Sequence, residues 1–78
     1  MQLVYVYDLK AKDKKSFNRV KRRFYYHLNK FDLRGFLRTK SVIIVTTKSE
    51  KVMDKFFKQF GKEIEVYKIV AESIEEVG

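Results

Sequence analysis

Phe17, Val20, Phe24, Leu28 and Phe31 follow one another at steps of 3, 4, 4 and 3 residues. That spacing brings apolar side chains to one face of an α-helix. It predicts a helix from about Lys14 to Phe31, with Asp13 as N-cap because its carboxylate can accept from the exposed amides of the first turn. In a chain of 78 residues such a helix leaves room only for short elements, and these must cover its stripe. A chain of this size supports one core and therefore one domain.

The flanking segments read as strands. Gln2 to Leu9 is dominated by valine and tyrosine, with no glycine or proline inside it. Leu33 to Thr47 is rich in β-branched residues and divides into an outer strand, Leu33 to Arg38, and an inner one, Ser41 to Thr47, joined near Thr39-Lys40. That junction lacks an Asn-Gly signal, so a single long bent strand is the alternative. The unbroken run Val42-Ile43-Ile44-Val45 is expected of a strand covered on both sides. A second helix runs from about Glu50 to Phe60, capped by Ser49, with Val52, Met53, Phe56, Phe57 and Phe60 turned inward and Gly61 just past its end. Glu63 to Val70 is the last strand.

The order β-α-β-β-α-β predicts an α+β ferredoxin-like domain over residues 1–70, followed by an acidic tail over 71–78. It implies a four-stranded antiparallel sheet carrying both helices on one face. Right-handed crossovers put the first and third strands at the centre. The other sheet face must be polar, bind something, or pair with a second sheet. A small domain without staples often gains stability from a partner subunit, so a homodimer is expected.

Composition narrows the chemistry. There is no cysteine and one histidine, which excludes disulfide staples and the usual zinc sites. No apolar run reaches the roughly 20 residues of a membrane span. Met1 leads directly into Leu3-Val4-Tyr5-Val6 without a charged leader, so the expected location is cytoplasmic, with no membrane partner. His27, at the edge of the buried helical face and without a second histidine, reads as a boundary residue rather than a catalytic base. No glycine-rich phosphate loop, Ser-His-Asp set or HExxH motif is present.

The net charge is +8, and it is segregated. Residues 1–40 hold 12 basic and 3 acidic side chains, whereas residues 41–78 hold 6 basic and 7 acidic. The face of the first helix opposite Phe17 and Phe24 carries Lys15, Arg19, Arg22, Arg23, Tyr26, Asn29 and Lys30, and no acid occurs between Lys14 and Lys30. A helix that needed only solubility would mix signs. Arginine grips phosphate with two donors and Tyr26 offers a stacking plane, so this ridge is the candidate nucleic-acid contact, whether RNA or DNA. Tyr5, Tyr7 and Tyr67 form a candidate stacking face of the sheet, but the third strand, Ser41 to Thr47, lacks the aromatic residues of RNA-recognition domains, so packing or dimer contact is the better reading.

Asp8 closes the first strand at its carboxyl end, where ligands commonly bind. A carboxylate there suits a hard divalent cation. One aspartate is a thin site, but a symmetric dimer would supply it twice. The plainer alternative is that Asp8 opens the polar loop and bonds nearby amides.

Val4-Tyr5-Val6-Tyr7-Asp8-Leu9, then Asn18-Arg19-Val20 and Ser41-Val42, together resemble the small CRISPR-associated endonuclease family, the smaller protein of the spacer-acquisition pair. The sequence is similar, more distantly, to virulence-associated protein D. The resemblance spans about residues 3 to 70 and implies a ferredoxin-like homodimer whose partner is a CRISPR integrase. It implies that Asp8 is catalytic and binds Mg2+ (or Mn2+) between two subunits, supporting phosphodiester cleavage. It further implies a phosphate contact at Arg19 and matches the family's serine with Ser41. Ile43 and Thr46-Thr47 stand where the family has an aromatic residue and a glycine. The alternative is a non-catalytic nucleic-acid-binding or adaptor domain that dimerises through its sheet.

Overall fold

A computed structural model describes all residues, Met1–Gly78. Its elements are β1 (Gln2–Leu9), α1 (Lys14–Lys30), β2 (Leu37–Thr39), β3 (Val42–Thr46), α2 (Glu50–Lys58) and β4 (Ile64–Ala71). The strands form one antiparallel sheet in the order β2-β3-β1-β4, so β1 and β3 are central as the crossover rule requires. This is the ferredoxin-like βαββαβ arrangement.

Side chains alternate across the sheet with the strand period of two. Leu3, Tyr5 and Tyr7 of β1, with Ile43 and Val45 of β3, face the helices and are buried. Against them pack Val20, Phe24 and Leu28 of α1, Met53, Phe56 and Phe57 of α2, and Phe60 just beyond it. Phe24 is the hub: its ring lies 5.0 Å from Tyr7 and 5.3 Å from Phe56, centroid to centroid. No polar or charged residue is buried as a whole. Val52 is 47% exposed and does not belong to the inner stripe expected of it. The phenylalanines at positions 56 and 57 already fill the space between α2 and the sheet.

The ends of α1 are set locally. The Asp13 carboxylate accepts from the Ser16 amide at 2.8 Å, as the capping reading requires. At the other end Leu33 N–H donates to the Leu28 carbonyl at 2.9 Å and Asp32 N–H to Asn29 at 3.0 Å. These are the two bonds of a Schellman motif. Asp32 occupies its left-handed position at φ 57°, and buried Leu33 packs down as its hydrophobic closure. Leu33 is therefore spent on ending the helix. The outer strand begins only at Leu37, after a short 3-10 turn over Arg34–Phe36, and not at Leu33 as expected.

Two further expectations are corrected. Ser49 makes no side-chain cap to α2, because the chain enters that helix through a 3-10 turn over Thr47–Ser49. β3 is covered on one face only: Ile43 and Val45 are buried while Val42 and Ile44 are half-buried on the other side. That open face carries Val4, Val6, Val42, Ile44, Tyr67 and Ile69, with Tyr67 and Ile69 at 62% and 50% exposure. The tail crosses one end of it, since Ile74 and Glu76 share a groove with Gln2, Arg38, Thr39 and Ile44. No helix is long and apolar enough to cross a membrane.

Candidate nucleic-acid interface

α1 turns one apolar stripe to the core, and what lies opposite that stripe is necessarily its solvent face. Lys15, Arg19, Arg22, Tyr26 and Lys30 all lie on that face and are exposed. None of the four cations forms an ion pair. The Lys30 ammonium sits 6.0 Å from the centre of the Tyr26 ring, a cation over an aromatic plane. Unpaired ammonium and guanidinium groups along one helix side form a continuous positive ridge.

Arg23 differs from the others. Its guanidinium pairs with Glu63 and lies 5.2 Å over the Phe60 ring, so it clamps α1 to the turn before β4. Sequence spacing assigns it to the ridge, yet its wheel position borders the α2 side and a carboxylate waits there. Arg34, which the wheel does not include, extends the positive surface beyond the helix end. Its guanidinium lies 5.8 Å over Tyr25 and reaches Asn29 Oδ1 at 3.5 Å.

Asp8 lies at the carboxyl end of β1 on the open face, with 71% of its side chain exposed. Its carboxylate pairs with Lys10 Nζ at 3.3 Å. Directly across the sheet its register partner is Glu65 of β4. Facing residues in an antiparallel pair share a face, so two carboxylates stand side by side there, and like charges so placed repel. Lys10 offsets part of that repulsion. The sequence hides Glu65 because strand register alone brings it to Asp8. Within one chain no cluster of three or more metal-ligating side chains forms.

Ser41 comes to the same end of the molecule: its carbonyl accepts from the Tyr7 amide at 3.0 Å. Asp8 and Ser41 line one cleft between β1, the β2–β3 turn and the flank of α1, together with Lys21, Lys40 and Tyr25. Lys21 and Tyr25 were missed by sequence reasoning since they flank the ridge rather than crown it. Lys40 carries no pattern until the hairpin folds beside β1.

Tyr5, Tyr7 and Tyr67 do not share a face. Tyr5 and Tyr7 point into the core, at 2% and 4% exposure, whereas Tyr67 pairs with Val6 on the open side. A three-tyrosine stacking platform is thereby excluded. His27 packs edge-on to Phe60 and alongside Phe31, with a buried Nδ1 that meets no partner.

No protein-family model matches the chain, and no curated protein or solved structure matches it either.

Proposed function

We propose that this chain is a cytoplasmic nucleic-acid-binding protein of the small CRISPR-associated, spacer-acquisition type, working as a homodimer. The observation that carries the binding is the acid-free face of α1, where Lys15, Arg19, Arg22 and Lys30 stand exposed and unpaired beside Tyr26. Each phosphate neutralised by such a cation releases counterions, which makes affinity fall as salt rises. The open sheet face supports the dimer: Val4, Val6, Val42, Ile44 and Ile69 form an apolar surface of the kind that self-association covers. Asp8 lies at one end of that same face, and a two-fold axis near the carboxyl end of β1 would bring the two Asp8 carboxylates together.

Divalent-metal-dependent cleavage of RNA or DNA phosphodiesters is the finer part of the reading. The oxygen donors fit a hard cation such as Mg2+ or Mn2+: Asp8 is exposed and Glu65 adds a second carboxylate on the neighbouring strand. A bound ion would supply charge neutralisation at phosphate and a more acidic water. The chain's own part is to hold the backbone of the strand on α1 and to present Asp8, from which Lys10 would have to move away for an ion to bind.

A binding protein without catalysis is the second reading. The Lys10 pair favours it, because an ammonium at 3.3 Å already satisfies the carboxylate that a metal would need. Fluorescence anisotropy with labelled RNA and DNA strands, run with and without magnesium beside a gel assay of cleavage, separates the two. Cleavage lost in Asp8→Asn with binding retained supports the enzyme. Binding without magnesium-dependent cleavage supports the second reading. Absence of salt-sensitive binding overturns both.

A further inference from the structure

The cleft beside β1 has chemistry that the ridge of α1 does not. It measures about 360 Å³, within the lower part of the range for small-ligand sites, about 300–1,000 Å³. Its walls are aromatic, with Phe17 and Tyr25 from α1 and Tyr7 from β1. Two ammonium groups, Lys21 and Lys40, and Ser41 line it, as does Asp8, whose carboxylate is already paired with Lys10. Neither Lys21 nor Lys40 forms an ion pair, since the four pairs of the molecule involve Lys10, Arg23 and Lys68.

A second cavity, of about 350 Å³, provides the contrast. It lies between α2 and β4 and also has an apolar floor, but its Lys68 is consumed by Glu50 at 2.7 Å and Asp54 at 3.0 Å. The second cavity therefore keeps one unpaired ammonium, Lys58, against the two of the first, Lys21 and Lys40.

The floor of the first cleft adds an independent observation. The Tyr7 hydroxyl is fully enclosed and meets no hydrogen-bond partner within the protein. A buried hydroxyl without a partner forfeits the hydrogen bonds it made to water, so a ligand that parts the cleft wall and supplies an acceptor to it is favoured. The other such atom, Nδ1 of His27, borders none of the cavities described here and offers no ligand a place.

We propose that this cleft binds a nucleoside phosphate, free or as one unit of a single strand. The base lies against the aromatic wall to which Phe17 and Tyr25 contribute, with an acceptor toward Tyr7, and the phosphate rests between Lys21, Lys40 and Ser41. Burial and the neighbouring Tyr25 keep the Tyr7 phenol neutral well into the alkaline range, so it remains a donor. A base in a duplex is stacked and paired and cannot enter; an unstacked base can. The free-nucleotide binding stands without the proposed cleavage or the dimer. The strand binding deepens the nucleic-acid reading and rests on it.

The experiment is an amide-resonance titration of the whole chain with uridine monophosphate, inorganic phosphate, an oligouridine strand and a matched RNA duplex. Uridine monophosphate is expected to shift Lys21, Tyr25, Lys40 and Ser41, and to bind at least about tenfold more tightly than inorganic phosphate. Lys21→Ala with Lys40→Ala is expected to lower that affinity about tenfold, and Tyr7→Phe several-fold, while Lys55→Ala on the far helix changes nothing. The oligouridine strand shifting the same residues, with the duplex shifting only Arg19, Arg22 and their neighbours, assigns the site to an unpaired unit of a strand. Shifts from the mononucleotide alone assign it to free nucleotides. If the mononucleotide fails to perturb these residues, or binds no better than phosphate, the inference falls. Strand binding through Arg19 and Arg22 that persists in that case leaves the ridge intact, and its loss as well overturns both.

Discussion

The Tyr5 hydroxyl on β1 donates to Asp54 on α2 at 2.7 Å, and the same carboxylate receives Lys68 of β4 at 3.0 Å. Three elements are thereby joined at one acid, under a Tyr5 ring stacked 5.3 Å from Phe57. Tyr5→Phe keeps the ring and removes only the donor, so it is expected to cost about 1 kcal/mol. Asp54→Ala strands a part-buried hydroxyl and is expected to cost more, about 1–3 kcal/mol. Urea denaturation of both variants measures the order, which reverses if the contact is ornamental.

Acid and base should act on different groups. Burial raises the Tyr5 and Tyr7 phenols far above their ordinary 10.0, with Asp54 adding to the first and Tyr25 to the second. A pKa raised by folding gives stability that is fully present below the unfolded value and lost as pH climbs past it. Stability is therefore expected to hold to about pH 10 and fall beyond. On the acid side, burial pushes Asp54 up, but the bonds from Tyr5 and Lys68 outweigh it and leave it below 3.8. The Ser16 amide holds Asp13 below the same value. A lowered carboxyl contributes above its ordinary value, and that contribution fades as pH falls below about 4. Circular dichroism across the pH range should show both limbs, with the alkaline one shallower in Tyr7→Phe.

Much of the fold is legible because its signals are local. The stripe from Val20 to Leu28 and the alternation in β1 each report on a neighbour within a turn or two residues. What the sequence conceals is what two distant segments decide together. Leu33 reads as a strand residue until Leu28 and Asn29 take its turn as a helix stop. Arg23 reads as a ridge cation until Glu63 meets it. Tyr67 shares the composition of Tyr5 and Tyr7, but strand register sets it opposite Val6 and so on the other face. The cleft cations Lys21 and Lys40 come from a helix flank and a hairpin, and only the sheet order makes them neighbours.

Asp32 holds a left-handed backbone, φ 57°, at the end of α1. Glycine adopts that conformation without strain, whereas a residue with a Cβ incurs roughly 1–2 kcal/mol, less for aspartate. Asp32→Gly relieves the strain but loosens the unfolded chain, so the net gain is expected to be small, about 0.5 kcal/mol. Asp32→Val is expected to destabilise by more than that, because branching at Cβ is worst tolerated there. Thermal unfolding of the pair tests the sign of each, and a neutral Asp32→Val would mean the Schellman turn does not govern where α1 stops.

The tail bears on the proposed dimer. Ile74, at 38% exposure, and Glu76 lie in a groove with Ile44 and Arg38 at one end of the open face. A second copy approaching that face must displace Ile74 or pack against it. Displacement is the expected case, since the segment after Ala71 has no strand or helix to hold it and adds little apolar cover. Removing residues 72–78 is therefore expected to strengthen self-association, seen as a dimer persisting at lower protein concentration in sedimentation. Ile44→Lys puts a charge within the same apolar surface and is expected to leave a folded monomer. If truncation instead dissociates the dimer, the tail is part of the contact, and the open face is not sufficient to pair two chains.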